Sequence, residues 1–518
     1  MPDRSAQHGA DGATFDLLVV GGGINGAGVA RDAAGRGLRT LLCEQHDLAA
    51  HTSSASTKLI HGGLRYLEFY DFALVRKSLR EREIVLTSAP HICWPLRFVL
   101  PHASHLRPAW MIRIGLLLYD HLARRRILPG SEGVDLRTHV AGAVLEKQYT
   151  KGFVYSDAWV DDARLVVLNA KDAQEHGATV LTRTRCARLE RRADHWVATL
   201  ARADGSTVEV RSRAAVNATG PWVDGFLDDA TDLPARRHPR QVKGSHIVVP
   251  KLFDHPFAYI FQGADGRVVF AIPYEGEYTL IGTTEMDYKG DLATPGIAEP
   301  EIDYLLAMAN RYFASDLKRS DVAWTFAGLR PLLADPKDRA TSVTRDYVLD
   351  LDTNGPPLLS IYGGKLTTYR KLAEDVLDEL APGLGWPLRH WTAAAPLPGG
   401  DMPAADFDAF VARARLAHAW LPDSLLHRYA RAYGTRLERL VGDARSLRDL
   451  GEQILPGLYE REVDYLRHEE WAVTADDILY RRSKLALHVP DGSAGRLDDW
   501  LARHPVAKRP PASLRYAM

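Results

Sequence analysis

The sequence predicts an α/β (α+β) fold in three parts: a Rossmann-like domain, a substrate portion built on an antiparallel sheet, and an all-helical C-terminal domain. Three observations predict it. The apolar run Asp16-Leu17-Leu18-Val19-Val20 leads directly into Gly21-Gly22-Gly23 and a helical stretch, the order of a buried parallel strand, a tight turn and a helix. Between residues 241 and 285, β-rich runs flank a Glu275-Gly276-Glu277 turn, which reads as an antiparallel hairpin. Beyond a Pro/Gly-rich linker at 382–398, the chain is helical almost throughout, to about His504. A length of 518 residues allows three or four domains, at about one per ~150 residues.

In chain order, residues 16–20 form a strand, 24–36 a helix and 40–43 a second buried strand closing at Glu44, together a βαβ unit. Residues 107–128 are a helical stretch rich in Leu, Ile and Arg. Strands return at 208–210, 214–217, 245–249, 267–272, 278–281 and 358–362. Gly363-Gly364 then opens a helix that sets Leu366, Tyr369, Ala373, Val376, Leu377 and Leu380 on one face. Near the end, Thr474 and Asp477 make an N-cap pair. Residues 1–14 read as a disordered extension without the apolar core of a secretory signal, and 505–518 as a loose tail.

Composition limits the function. Hydrophobic residues at 46% and charged residues at 25% exclude wholesale disorder. Lys and Arg at 65 nearly cancel Asp and Glu at 66, so a chain-wide basic surface for nucleic acid is excluded. No stretch approaches the roughly 18 apolar residues of a spanning helix. Cys43, Cys93 and Cys186 are scattered and odd in number, which argues against a disulfide framework or structural zinc and for a reducing, cytosolic location.

The strongest local signal is Gly21-Gly22-Gly23-Ile24-Asn25-Gly26. In the GxGxxG spacing, Gly21 makes the tight turn, Gly23 admits a pyrophosphate and Gly26 lets helix pack on strand, while the helix N-terminus presents amides and a positive dipole end. Glu44, at the end of the next strand, suits the two hydroxyls of an adenosine ribose and repels a 2′-phosphate. The following loop carries many hydroxyls, Ser53, Ser54, Ser56 and Thr57 among them, and runs on through Lys58 to His61-Gly62-Gly63-Leu64-Arg65-Tyr66. It suits either the far half of a long cofactor or a solvated Ser/Thr loop; the residues alone leave FAD and NAD open.

Residues 15 to 66 resemble the cofactor site of the aerobic, quinone-reducing, FAD-dependent glycerol-3-phosphate dehydrogenases. The resemblance continues, in the family's order, through Val216-Asn217-Ala218-Thr219-Gly220-Pro221-Trp222, Lys243-Gly244-Ser245-His246-Ile247-Val248-Val249-Pro250, Ala327-Gly328-Leu329-Arg330-Pro331-Leu332 and Gly363-Gly364-Lys365-Leu366-Thr367-Thr368-Tyr369-Arg370. It implies non-covalent FAD held by the glycine motif with Glu44 and Gln45, by Ser53, Ser54, Ser56, Lys58, His61, Gly62, Gly63 and Leu64, and by Thr219, Gly220, Gly364, Leu366 and Thr367. The Gly363-Gly364 turn would aim a helix N-terminus at the flavin.

The resemblance further implies glycerol 3-phosphate as substrate. Arg330, Arg345 and Lys365 would clamp its phosphate, with Arg65 and Tyr66 closing the site. Hydride would pass from C2 to the flavin, and His246 would remove the hydroxyl proton or serve only as a hydrogen-bonding residue; His61 is a second candidate base. Electrons would pass to membrane quinone from a peripheral position at the inner face of the cytoplasmic membrane. Trp110, Met111, Ile114, Leu117, Leu118 and Leu122, rimmed by Arg107, Arg113 and Arg124 to Arg126, fall at helical spacing for an interfacial helix, although such a stripe more often serves a core or a homodimer interface. The same question attends the helix after Lys365.

On this reading the FAD-binding domain is discontinuous over 15–66, 155–235 and 320–390. The substrate-binding cap takes 67–154 and 236–319, and the helical domain 391–518. An oxidase acting on glycerol 3-phosphate or an amino acid is the nearest rival, and a nucleotide-binding scaffold the rival from another class. No metal site is expected.

Overall fold

The computed structural model describes residues 11–103, 106–263, 265–333 and 346–505. Its first sheet has eight strands among these residues. At its centre β1 (Thr14–Val20) lies parallel to β2 (Thr40–Cys43) on one side and to Thr207–Asn217 on the other. Thr179–Leu181 continues the parallel order beyond β2, and Leu358–Tyr362 beyond Thr207–Asn217. Parallel strands covered on both faces bury every side chain, which is why Leu17, Leu18, Leu41 and Leu42 are all inaccessible. Helix α1 (Ile24–Gly35) packs with helices Asp162–Glu175 and Tyr369–Leu384 over one face. The approach is close: a Cβ added at Gly28 would stand 2.8 Å from the Tyr369 ring.

The second sheet has ten described strands. Arg240–Pro250 pairs antiparallel with Tyr278–Gly282 and Trp324–Leu332, and Val268–Tyr274 turns back through Glu275 and Gly276 into Tyr278–Gly282 as the expected hairpin. Strand pairing does not follow the predicted chain divisions. Leu59–Ile60 and Trp324–Leu332 hydrogen-bond into this second sheet, although 15–66 and 320–390 fall in the predicted FAD-binding domain.

Three further expectations need correction. The predicted disordered extension is tied down from residue 11: Gly12 N–H donates to Glu209 O, Arg211 N–H to Ala13 O, and Asp11 accepts from Glu209 N–H. The helix expected from Gly364 begins at Tyr369, because Gly363 and Gly364 take φ of 78° and 101°, outside the helical region, and Leu366 precedes the helix. At its other end this helix runs through Pro382 to Leu384 before the linker, and Gly385 at φ 68° ends it.

The C-terminal domain has its own core, from Leu426, Tyr429 and Tyr433 to Leu466, Ile478 and Trp500. It is mostly helical, with a small Gln453–Leu455/Leu458–Tyr459 hairpin and a π-helical turn at Asp477–Arg482. Thr474 and Asp477 do exchange capping bonds, but Asp477 also binds Arg183 across the domain boundary at 2.6 Å. Arg164 bridges to Glu470 at 2.9 Å and to Ala432 O at 2.8 Å.

The Ala109–His121 helix is not core on its striped face. Trp110 is 63% exposed, Ile114 57% and Leu117 50%, because the helix attaches to the body through Leu116, Tyr119 and Asp120 on its opposite side. The Tyr369–Leu384 helix, by contrast, buries its apolar face in the first core. No helix among the described residues is long and apolar enough to cross a membrane.

Candidate active site

A cavity of about 270 Å³ opens at the carboxyl ends of β1, β2 and Thr207–Asn217. Gly21, Gly22, Gly23, Ile24 and Asn25 line it, with Glu44, Gln45, Ser53, Thr219, Gly220 and Gly364. Gly21 holds φ 111°, and a Cβ there would stand 2.5 Å from Ala218 O; one on Gly26, which lies behind the wall, would meet Gly21 O at 1.9 Å. Only glycines allow this turn. Ser53 Oγ accepts the Ile24 N–H at 3.0 Å, whereas no side chain caps the next amides of α1, which leaves N–H donors for an anion.

Glu44 sits on the opposite wall. Its Oε2 accepts from Gly22 N–H at 2.6 Å and its Oε1 from His46 N–H at 2.7 Å. Burial raises its pKa, and these two amides oppose that. Each oxygen retains a lone pair for a ribose hydroxyl. Asn25 is aimed the same way: its Nδ2 donates to Gly363 O at 3.0 Å, and its Oδ1 is buried without a donor. A turn fit for pyrophosphate, a carboxylate fit for ribose and an orphaned amide oxygen beside Gly364 together suit a flavin adenine dinucleotide.

Not every residue expected at the cofactor lines this cavity. Ser54 donates to His51 O, and Ser56 and Lys58 turn to Asp162, at 2.7 and 2.8 Å. Lys58 and Asp162 are a fully buried ion pair; burial lowers the lysine pKa, while the charges of Lys58 and Lys484 more than offset the burial of the carboxyl. His61, Gly62, Gly63, Leu64 and Thr367 are not among the residues that line the cavity. His61 N–H donates to Thr367 Oγ1 at 3.2 Å, and Gly62 N–H to the Tyr119 hydroxyl at 2.8 Å. Leu366 packs partly buried against the first core.

The expected substrate residues gather around the two histidines. His246 stacks on Phe326, with 4.7 Å between centroids, and its Nε2 meets Thr57 Oγ1 at 2.9 Å, leaving Nδ1 buried without a partner. Burial, then the charges of Arg330 and Lys58, lower its pKa to about 3. The ring is therefore neutral at physiological pH. Arg330 donates to Thr283 Oγ1 at 3.2 Å. Lys365 Nζ lies 4.2 Å over the Tyr66 ring, and burial lowers its pKa. Burial also lowers the His61 pKa, assisted by the charges of Lys365, Arg82 and Arg330, so those cations and both histidines share one neighbourhood. Arg65 stands beside Tyr66 in the short Leu64–Phe69 helix. Arg345 lies outside the described residues.

Sequence reasoning missed Thr57, Thr283, Phe326 and Asp162. Only Thr57 carried a local signal, between Ser56 and Lys58 in the hydroxyl-rich loop. Trp222, Phe226 and residues 184–187 also line the cavity unannounced.

A Rossmann-like sheet with this cradle, joined to a second sheet bearing a buried histidine and cations, defines a FAD-dependent oxidoreductase. The family model described as "FAD dependent oxidoreductase" matches residues 16–370, and that for the "C-terminal domain of alpha-glycerophosphate oxidase" matches 390–499. The chain belongs to the family of FAD-dependent glycerol-3-phosphate dehydrogenases. A glycerol-3-phosphate dehydrogenase of Pseudomonas aeruginosa is 53% identical over 498 residues, 96% of each chain. A D-erythritol 1-phosphate dehydrogenase of Brucella abortus is 50% identical over 496 residues, 95% of this chain and 98% of that one. A solved glycerol-3-phosphate dehydrogenase of Bacillus halodurans, complexed with FAD, aligns with a TM-score of 0.77 at 29% identity, covering 96% of this chain and 92% of that one.

Proposed function

We propose that the protein oxidises sn-glycerol 3-phosphate at C2 to dihydroxyacetone phosphate and passes the electrons to membrane quinone. The observation that carries this reading is the cluster of Arg330 and Lys365 beside a neutral, buried His246, next to the Gly363-Gly364 end of the cofactor cradle. Bound FAD supplies the hydride acceptor. Glu44, Asn25 and the amides opening α1 hold it. Arg330 and Lys365, with Arg345 and Arg65, hold the substrate phosphate; Arg330 and Lys365 are half-buried, and that partial dehydration strengthens their pull on a dianion. His246 takes the C2 hydroxyl proton at Nδ1. This requires the tautomer in which Nε2–H donates to Thr57 Oγ1, so the threonine hydroxyl leaves the basic nitrogen free. Tyr66, against Lys365, closes the site from water.

The Brucella relative favours a second polyol phosphate, D-erythritol 1-phosphate, which presents the same secondary alcohol and dianion in a longer chain. Anaerobic titration of the yellow protein separates the readings. Bleaching by glycerol 3-phosphate at low concentration supports the first, and bleaching by erythritol 1-phosphate alone supports the second. A flavin that stays oxidised with both sinks each.

The exposed face of the Ala109–His121 helix, rimmed by exposed Arg107 and Arg124, supports peripheral attachment to the inner face of the cytoplasmic membrane. A homodimer contact is the other occupant of that face. Membrane release by salt and mild detergent tests the attachment.

A further inference from the structure

No described side chain of the C-terminal helical domain lines the cofactor cavity, yet its 477–488 segment is joined to both the cofactor loop and the substrate side of the site. Arg481 and Arg482 converge on Asp47 in the cofactor loop, Arg481 Nε at 2.7 Å and the Arg482 nitrogens at 2.6 and 2.8 Å. Asp47 and Arg482 are fully buried. The same two arginines end a π-helical turn, a geometry that is rare and concentrated at functional sites.

Two residues on, the segment reaches the substrate side. Lys484 Nζ lies 3.2 Å from Asp161 and 3.9 Å from Asp162. Asp162 in turn holds Ser56 and Lys58, the two neighbours of Thr57, and Thr57 holds His246. A second chain of contacts arrives at the face of the same imidazole. The Tyr480 ring lies 5.5 Å from Trp324, Trp324 5.1 Å from Phe326, and Phe326 stacks on His246. Lys58 and Lys484 face Asp161 and Asp162, and burial pushes the adjoining Glu275 carboxyl up to about 7; at such a buried site one uncompensated member costs several kcal/mol. Such a cluster holds its geometry only when complete.

We propose that the 477–488 segment positions the His246 ring, with Lys484 as a positioning residue that acts through Asp162 and Thr57. The C-terminal domain thereby sets the rate of proton removal from the substrate without touching it. This rests on the functional reading above.

The test uses the FAD-loaded full chain and anaerobic reduction by glycerol 3-phosphate, followed by stopped flow over a range of substrate concentrations. Lys484 occupies φ 60°, so Lys484→Met and Lys484→Arg bear the same backbone strain, and their comparison isolates the charge. The expected result is a fall of about tenfold in the limiting reduction rate of Lys484→Met, with half-saturation and FAD content unchanged, and recovery in Lys484→Arg. Limiting rates equal to wild type in Lys484→Met overturn the proposal, as does an equal loss in both variants. Should Lys484→Met fail to fold, the half-exposed Tyr480→Ala decides: a fall of roughly threefold in limiting rate alone supports the brace, and a wild-type rate overturns it. A wild-type protein that no polyol phosphate reduces overturns the functional reading instead.

Discussion

Asn25 and Gly363, 338 residues apart in the chain, are joined at 3.0 Å by the side-chain amide of one and the carbonyl of the other. This bond ties the opening of α1 to the turn at the far end of the cofactor cradle. A Cβ on Gly364 would stand 2.7 Å from Asn25 Nδ2, at a φ of 101°. Gly364→Ala should therefore carry about 1–3 kcal/mol of strain into the cradle. The expected outcome is a folded protein with roughly tenfold weaker FAD retention, read as flavin absorbance per protein after gel filtration.

His246→Gln tests the base. A hydrogen-bonding substitute that cannot take a proton should slow flavin reduction by about a hundredfold or more; a rate near wild type removes His246 from that role.

The same histidine leaves a mark on stability. Its folded pKa of about 3 lies below the ordinary value near 6.5. The unfolded chain therefore binds a proton that the folded chain refuses, and stability falls as pH drops from the unfolded value towards the folded one. Between about pH 7 and about pH 5 wild type should lose roughly 2 kcal/mol relative to His246→Gln. Denaturant unfolding of both proteins at the two pH values measures it.

Arg164 and Glu470 join the Asp162–Glu175 helix to the C-terminal domain, both nearly inaccessible. Glu470→Ala strands a buried guanidinium and should cost about 3 kcal/mol. Glu470→Gln, which still accepts a hydrogen bond, should cost less, and thermal unfolding ranks them.

Trp110 and Ile114 lie outside the site on the exposed helix face. If that face rests on lipid, Trp110→Glu with Ile114→Glu should reduce sedimentation with anionic vesicles by roughly tenfold. Reduction by substrate in solution should not change. Undiminished sedimentation would reassign the face to contact between subunits.

Much of the fold was legible because its signals are local. The strand, the three glycines, Glu44 and the 275–277 turn act within a few residues of themselves, and each appears where the spacing places it. The hairpin partners followed from β-rich runs on either side of that turn. What stayed hidden depends on partners far along the chain. Ser56 and Lys58 looked ready for a cofactor, but they spend their polar atoms on Asp162, more than a hundred positions away. The tether of residues 11–14 hangs on Glu209 and Arg211, and the exposed side of the Ala109–His121 helix is apolar like a core face. Periodicity reports that a face is apolar; it does not report what covers it.

The cradle draws on β1 and β2, then on Thr207–Asn217, then on Gly363 and Gly364, and its clamp on Asp47 comes from Arg481 and Arg482. A ribosome delivers these pieces in that order. The nascent chain therefore carries the opening glycine turn and Glu44 through most of its synthesis without the Gly363-Gly364 end of the cradle. A chain that stops short of Leu358 lacks both the Gly363-Gly364 turn and the strand that pairs with Thr207–Asn217, so neither the cradle nor the central sheet is complete.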